Sequence, residues 1–251
     1  MRTTNERARP VAGLREAASF LTPFVPTPGR PSPGAMAYFP IVGAGLGLLT
    51  GGLWRRARRS LAPLPAAVVV VAADAVLTGA LHLDGVADTA DGLLAHVPAK
   101  GRLAIMDEPQ VGTFGTVALT VALLGRAAAF AAIEPSPVLV AAFWSCSRSL
   151  MVIGSRTLPY ARDEGLATAF LAGDESGDRV LHVAAAGMAG SALMAWLTHG
   201  RRGLFGVVGG SLAGAAVLGY AQRRLGGFTG DVLGAAGVTC ETVGLLIVAG
   251  R

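Results

Sequence analysis

Residues 81–93 read LHLDGVADTADGL. Wound as an α-helix at about 100° per residue, Asp84, Asp88 and Asp91 fall at about 0°, 40° and −20° around the axis. Three carboxylates on one face repel one another, and like charges at these spacings weaken a helix unless a cation sits among them. Hard oxygen donors suit Mg²⁺, Mn²⁺ or Ca²⁺ better than Zn²⁺. Gly85 and Gly92 are expected to keep the approach open for a bulky ligand. The plainer alternative is a solvated acidic helix start, since aspartate favours helix N-termini.

Three further segments carry polar chemistry: IMDEPQVGTFG (105–115) with Asp107, Glu108, Gly112 and Gly115, PYARDEGL (159–166) with Arg162, Asp163 and Glu164, and GGFTGDVLGA (226–235) with Gly227, Thr229, Gly230 and Asp231. A glycine-rich turn feeding a helix N-terminus offers free N–H groups to a phosphate. Gly112, Gly227, Thr229 and Gly230 are the candidate ligand-binding positions on that ground.

The elements that must position these groups are set by composition. The chain has 251 residues, 52% hydrophobic and 15% charged, with mean hydropathy +0.55 and 35 glycines. An ordinary soluble domain is about 25% charged. So few charges cannot cover a water-facing surface of this size, which excludes solvated disorder, a nucleic-acid-binding domain and a disulfide scaffold. The bilayer is the remaining solvent. Cys146 and Cys240 lie in apolar runs with no metal-ligand spacing and read as buried small hydrophobes.

A crossing takes about 20 apolar residues. Candidates lie near 36–54, 61–81, 112–133, 138–158, 180–198, 203–221 and 232–250, preceded by a short amphipathic helix at Val11–Phe24. The fold expected is all-α: a polytopic transmembrane helical bundle of six to seven spans in a single domain, 1–251. Gly43, Gly47 and Gly51, and again Gly206, Gly210 and Gly214, recur every fourth residue, a spacing that lets helix backbones approach.

Seven crossings put the N-terminus and residues 82–111, 156–179 and 222–231 on one side. That side holds 12 of the 21 basic residues against seven on the other, and 13 of the 16 acids. The basic bias places it in the cytoplasm, although Arg55, Arg56, Arg58 and Arg59 on the other side argue against. Asp74, Arg148 and Glu241 lie within spans, so Arg148 is expected to pair with Asp74 or Glu241. Arg126, nearer the far side, is expected to snorkel outward. His82 points about 160° from Asp84 and belongs against neighbouring helices.

These segments resemble cobalamin synthase, the adenosylcobinamide-GDP ribazoletransferase family of polytopic membrane enzymes. The match runs through ASFLTPFVPTP (18–28), FPIVGAGLG (39–47), HLDGVADTADGL (82–93), VGTFG (111–115), YARDEGL (160–166) and GGFTGDVLGA (226–235). The resemblance implies transfer of α-ribazole, or its 5′-phosphate, onto adenosylcobinamide-GDP with release of GMP, dependent on Mg²⁺. It implies small-molecule substrates and a bilayer but no nucleic acid, a site on the cytoplasmic face of the bacterial inner membrane, and an open oligomeric state. Asp84 and Asp88 are the expected Mg²⁺ ligands, with Asp91 a third ligand or the base for the attacking hydroxyl. Asp231 serves the same centre or a ribose hydroxyl. Arg162 contacts a phosphate or forms a loop ion pair with Asp163 or Glu164. Where the family carries a basic residue, then Asp, then Ser, this chain has Asp107 and Glu108. An ungapped alignment puts Glu108 in the metal set, and which of the two acids contributes stays open. A CDP-alcohol phosphotransferase, whose motif wants an Ala-Arg step missing after Asp88, and a membrane transporter are the alternatives.

Overall fold

The computed structural model describes residues 8–26, 32–162 and 177–250. Every regular element among them is helical: α1 (Ala8–Leu21), a 3-10 helix (Pro33–Tyr38), α2 (Phe39–Ala57), α3 (Pro63–Leu77), α4 (Leu81–Leu94), α5 (Ala99–Ile105), α6 (Thr113–Ala132), α7 (Pro137–Thr157), α8 (Gly177–Leu225) and α9 (Gly230–Ala249). Five stretches, Gly34–Ala57, α6, α7, Asp178–Leu225 and α9, are long and apolar enough to cross a membrane.

α8 is two crossings. Its backbone breaks at Gly200 (φ 56°, ψ −139°), and a Cβ on Gly203 would collide with the Ala195 carbonyl. Ser211 Oγ lies 3.6 Å from Met188 Sδ, so the arms 177–199 and 201–225 fold back on each other. These are the two spans expected at 180–198 and 203–221.

The span expected at 61–81 ends early. α3 stops at Leu77, about 22 Å long at 1.5 Å per residue, short of a ~30 Å hydrocarbon core. Gly79 (φ 59°) and Ala80 (φ 56°) are both left-handed, and the chain turns by 91° into α4. A left-handed alanine costs about 1–2 kcal/mol, so packing must hold this corner. α4 then lies across the N-terminal ends of α6 and α9.

α7 is the axis of the bundle, buried almost from end to end. The glycine stripes do the work their spacing suggests. A Cβ on Gly43, Gly47 or Gly51 would fall 2.5–2.7 Å from backbone atoms of Trp144, Ala141 or Pro137 on α7. Gly206, Gly210 and Gly214 sit equally close to carbonyls of Gly244, Cys240 and Ala236 on α9. Both cysteines are buried, as expected, with their sulfurs 3.8 Å apart.

Four charges are sealed together in the centre of the bundle, Asp74, Arg126, Arg148 and Glu241. Arg148 pairs with Glu241, as the sequence suggested. Arg126 does not snorkel: it is 3% exposed, donates to Asp74 Oδ2 at 2.9 Å and to Glu241, and stacks 5.2 Å from the Trp144 ring. The reason is charge balance. Two buried carboxylates with one arginine would leave an uncompensated anion in a medium that cannot solvate it. The spare lone pairs are also taken. Trp144 Nε1 (2.9 Å) and Thr50 Oγ1 (3.2 Å) donate to Asp74, Ser147 Oγ donates to Glu241 at 2.6 Å, and Arg126 Nε donates to Thr242 at 3.1 Å. One network therefore joins α2, α3, α6, α7 and α9.

Two stability predictions follow from this packing. Gly47→Leu should cost at least ~1–3 kcal/mol through overpacking, whereas Gly45→Leu, which meets nothing within 4 Å, should stay within ~0.5 kcal/mol. Arg126→Met should cost ~3–5 kcal/mol. The double variant Arg126→Met/Asp74→Leu, which leaves Glu241 balanced by Arg148, should lose less than the two singles summed. Thermal unfolding of detergent-purified protein reads both.

Candidate active site

α4 carries Asp84 and Asp88 on its outward face, Asp84 exposed and Asp88 half-buried. Neither makes an ion pair or side-chain hydrogen bond with any described residue. Desolvation, then the Asp84 and Asp231 charges, push the Asp88 carboxyl up to about 7, against an opposing pull from Arg162. Asp91 is engaged differently: its Oδ2 accepts from Gly112 N at 2.7 Å and its Oδ1 from Gly115 N at 2.9 Å. One carboxylate thus satisfies two orphan amides at the start of α6 and favours its positive end.

The far end of α4 is held by arginines. Arg102, 4% exposed, donates to the Gly92 and Leu93 carbonyls at 3.0 and 2.5 Å. Arg224 reaches Leu93 O and Ala95 O at 3.3 and 3.2 Å. At the near end, buried His82 packs against Gly234 of α9, with its Nδ1 3.3 Å from Arg148 of the buried network. This is the neighbouring-helix placement its angle predicts.

Gly85 and Gly92 are not open ligand approaches. A Cβ on Gly85 would lie 2.7 Å from Asp231 O, and one on Gly92 would lie 2.4 Å from the Met106 side chain. Both sit about 80–100° around the helix from Asp84, on a flank that packs rather than on the acid face.

The loop 226–229 pairs with 159–161 through Phe228 N to Pro159 O (2.9 Å) and Ala161 N to Phe228 O (2.8 Å). Gly227 is needed for that pairing, because a Cβ there would sit 2.2 Å from Pro159 O. The pairing delivers Arg162 between two acids, 2.5 Å from Asp107 Oδ1 and 3.3 Å from Asp231 Oδ2. Thr229 caps α9 by accepting from Val232 N at 3.3 Å, and its hydroxyl donates to Asp231 Oδ2 at 3.2 Å. Gly230 faces open space. Asp163 and Glu164, the other partners considered for Arg162, lie outside the described residues.

Asp84, Asp88, Asp91, Asp231 and Arg162 therefore converge at one end of the bundle. Of the two neighbouring acids, Asp107 reaches Arg162, while exposed Glu108 pairs with no described residue. The Gly112 N–H is already spent on Asp91. Sequence reasoning missed Arg102 and Arg224. Basic residues that cap helix C-termini are a known device, but nothing in the spacing marks partners 10 and 131 residues away.

Among the described residues, no three His, Cys, Asp or Glu side chains are already grouped to hold a metal. The donor set nonetheless fits Mg²⁺, which binds through one or two carboxylates, with water and substrate phosphates completing its shell. Asp84 and Asp88 are two unpaired carboxylates whose mutual repulsion a cation would relieve.

Asp91→Ala should cost ~0.5–2 kcal/mol, the usual range for a lost N-cap, and speed hydrogen exchange at Gly112 and Gly115. Asp84→Ala should leave those amides protected. Exchange mass spectrometry over 110–118 makes the comparison.

The model of the family described as cobalamin-5-phosphate synthase matches residues 13–249. A Bradyrhizobium diazoefficiens protein is 36% identical over 249 residues, covering 95% of this chain and 94% of its own. One from Chlorobium phaeobacteroides is 34% identical over 239 residues, 92% and 94% of the two chains. One from Rhizobium etli is 37% identical over 196 residues, 74% of each. All three are named adenosylcobinamide-GDP ribazoletransferase. No solved structure matches the chain.

Proposed function

The chain belongs to the cobalamin-5-phosphate synthase family, and from that premise we propose that it joins α-ribazole, or its 5′-phosphate, to adenosylcobinamide-GDP. The products are adenosylcobalamin, or its phosphate, and GMP. The observation that carries this reading is the convergence of Asp84, Asp88, Asp91, Asp231 and Arg162 at one end of a membrane bundle. A solute path would place its acids along a cavity near mid-bilayer. Family membership favours this reaction over the CDP-alcohol alternative.

The reaction forms a bond from a ribazole hydroxyl oxygen to the cobinamide-bearing phosphorus and breaks that phosphorus's bond to the oxygen of departing GMP. Such transfers depend mainly on positioning and charge stabilisation. Asp84 and Asp88 would hold Mg²⁺, which supplies charge neutralisation at the diphosphate. Arg162 offers planar paired donors to a phosphate oxygen, and Asp107 and Asp231 keep its guanidinium aimed. A carboxylate has about four acceptor sites, so Asp91 keeps about two after binding its amides and can take the hydroxyl proton. Asp231 and the open space at Gly230 flank the start of α9, where an anion is favoured. The excess of basic residues on this side supports a cytoplasmic-facing site in the inner membrane.

Asp84→Asn and Asp88→Asn should each lower corrinoid product formation at least 100-fold (about 2.7 kcal/mol of barrier) without lowering the unfolding temperature. The assay uses purified protein, adenosylcobinamide-GDP, α-ribazole and a range of Mg²⁺ concentrations. Near-normal turnover of both variants would contradict the assignment.

A further inference from the structure

On the flank of the bundle away from the aspartates, a cavity of about 1110 Å³ opens between α1, the 3-10 helix, α2 and the first arm of α8, and reaches Ser145 of α7. It is larger than a typical small-molecule pocket of ~300–1,000 Å³. Its walls are mostly small and apolar. Gly187 forms the floor, in contact with Pro40 and Ser149, while Gly34 and Gly190 face open space.

The cavity runs along the first arm of α8. From Arg179 at its rim to Met194 at its depth is 15 residues of helix, about 22 Å, which is more than half of a ~30 Å hydrocarbon core. Its mouth is flanked by side chains that need lipid: Ile41 is 64% exposed and Leu193 53%. The rim is polar. Glu16 is occupied by Ser32, accepting from its N (2.8 Å) and Oγ (2.5 Å), whereas Arg179 pairs with no described residue. Arg179 is thus the one cation among the described lining residues, and it is the group a phosphate can meet at this end.

We propose that this groove is a phospholipid site, with one acyl chain lying between α2 and the first arm of α8 and an anionic headgroup at Arg179. Length, apolarity and depth fit the chain, and the unpaired guanidinium, with its planar donors, fits the phosphate. None of the aspartate-site residues lines the groove, so the site is separate from the chemistry and stands or falls independently of the proposed reaction.

The test is native mass spectrometry of the full-length, delipidated protein in detergent, titrated with phosphatidylglycerol or phosphatidylcholine. Wild type should take up one phosphatidylglycerol saturably. Gly190→Leu and Gly34→Leu, which place side chains in open space, should each weaken that uptake at least tenfold while keeping the wild-type unfolding temperature. Arg179→Gln should bind both lipids with the preference for phosphatidylglycerol reduced at least threefold. Wild type binding no lipid saturably would overturn the proposal, as would finding the groove covered by a second copy of the chain. So would filled variants that bind as wild type does.

Discussion

Two arginines and two acids share one buried compartment at the centre of this bundle, and their neutrality constrains everything around them. Asp74, Arg126, Glu241 and Arg148 come from four helices, and Thr50, Trp144, Ser147 and Thr242 add hydrogen bonds to them. In hydrocarbon no helix can slide or rotate far without stranding a charge. Glycine stripes bring the backbones close, but small residues alone allow slippage by a turn. The ionic network fixes one register, and α7 at its centre carries that register to every neighbour.

The site inherits this rigidity. His82, in the first turn of α4, touches the network through Arg148. Asp91 ties the last turn of the same helix to α6, and Arg102 and Arg224 hold its last carbonyls. α4 is thus fastened at three points while Asp84 and Asp88 pair with no described residue. Repulsion among acids is tolerated there because the scaffold, not the acids, holds the helix. That is how a site can keep Asp88 up near 7 and stay assembled.

Much of this is visible in the residues. Low charge and apolar runs give an all-helical membrane bundle. The four-residue glycine period identifies its close contacts, and 100° arithmetic places Asp84, Asp88 and Asp91 together and His82 opposite. What escapes is set by long-range geometry. The 91° corner at Gly79–Ala80 depends on an alanine in a left-handed conformation, which no propensity announces. Arg126 looked free to snorkel because its partners, Asp74 and Glu241, lie 52 and 115 residues away. Gly85 and Gly92 looked like ligand approaches because a glycine required for packing and one required for binding are written the same way. Asp91, likewise, shows its tie to α6 only once the two helix ends are set side by side.

The proposed reaction depends on Asp84 and Asp88 of α4 receiving the cation, with Arg162 beside them on the diphosphate. The most direct measurement is a density map of the full chain with adenosylcobinamide-GDP and Mg²⁺ bound. The expected result is a cation between Asp84, Asp88 and the diphosphate, with Arg162 on a phosphate oxygen. A diphosphate seated elsewhere, with Asp84 and Asp88 facing only solvent, would contradict it.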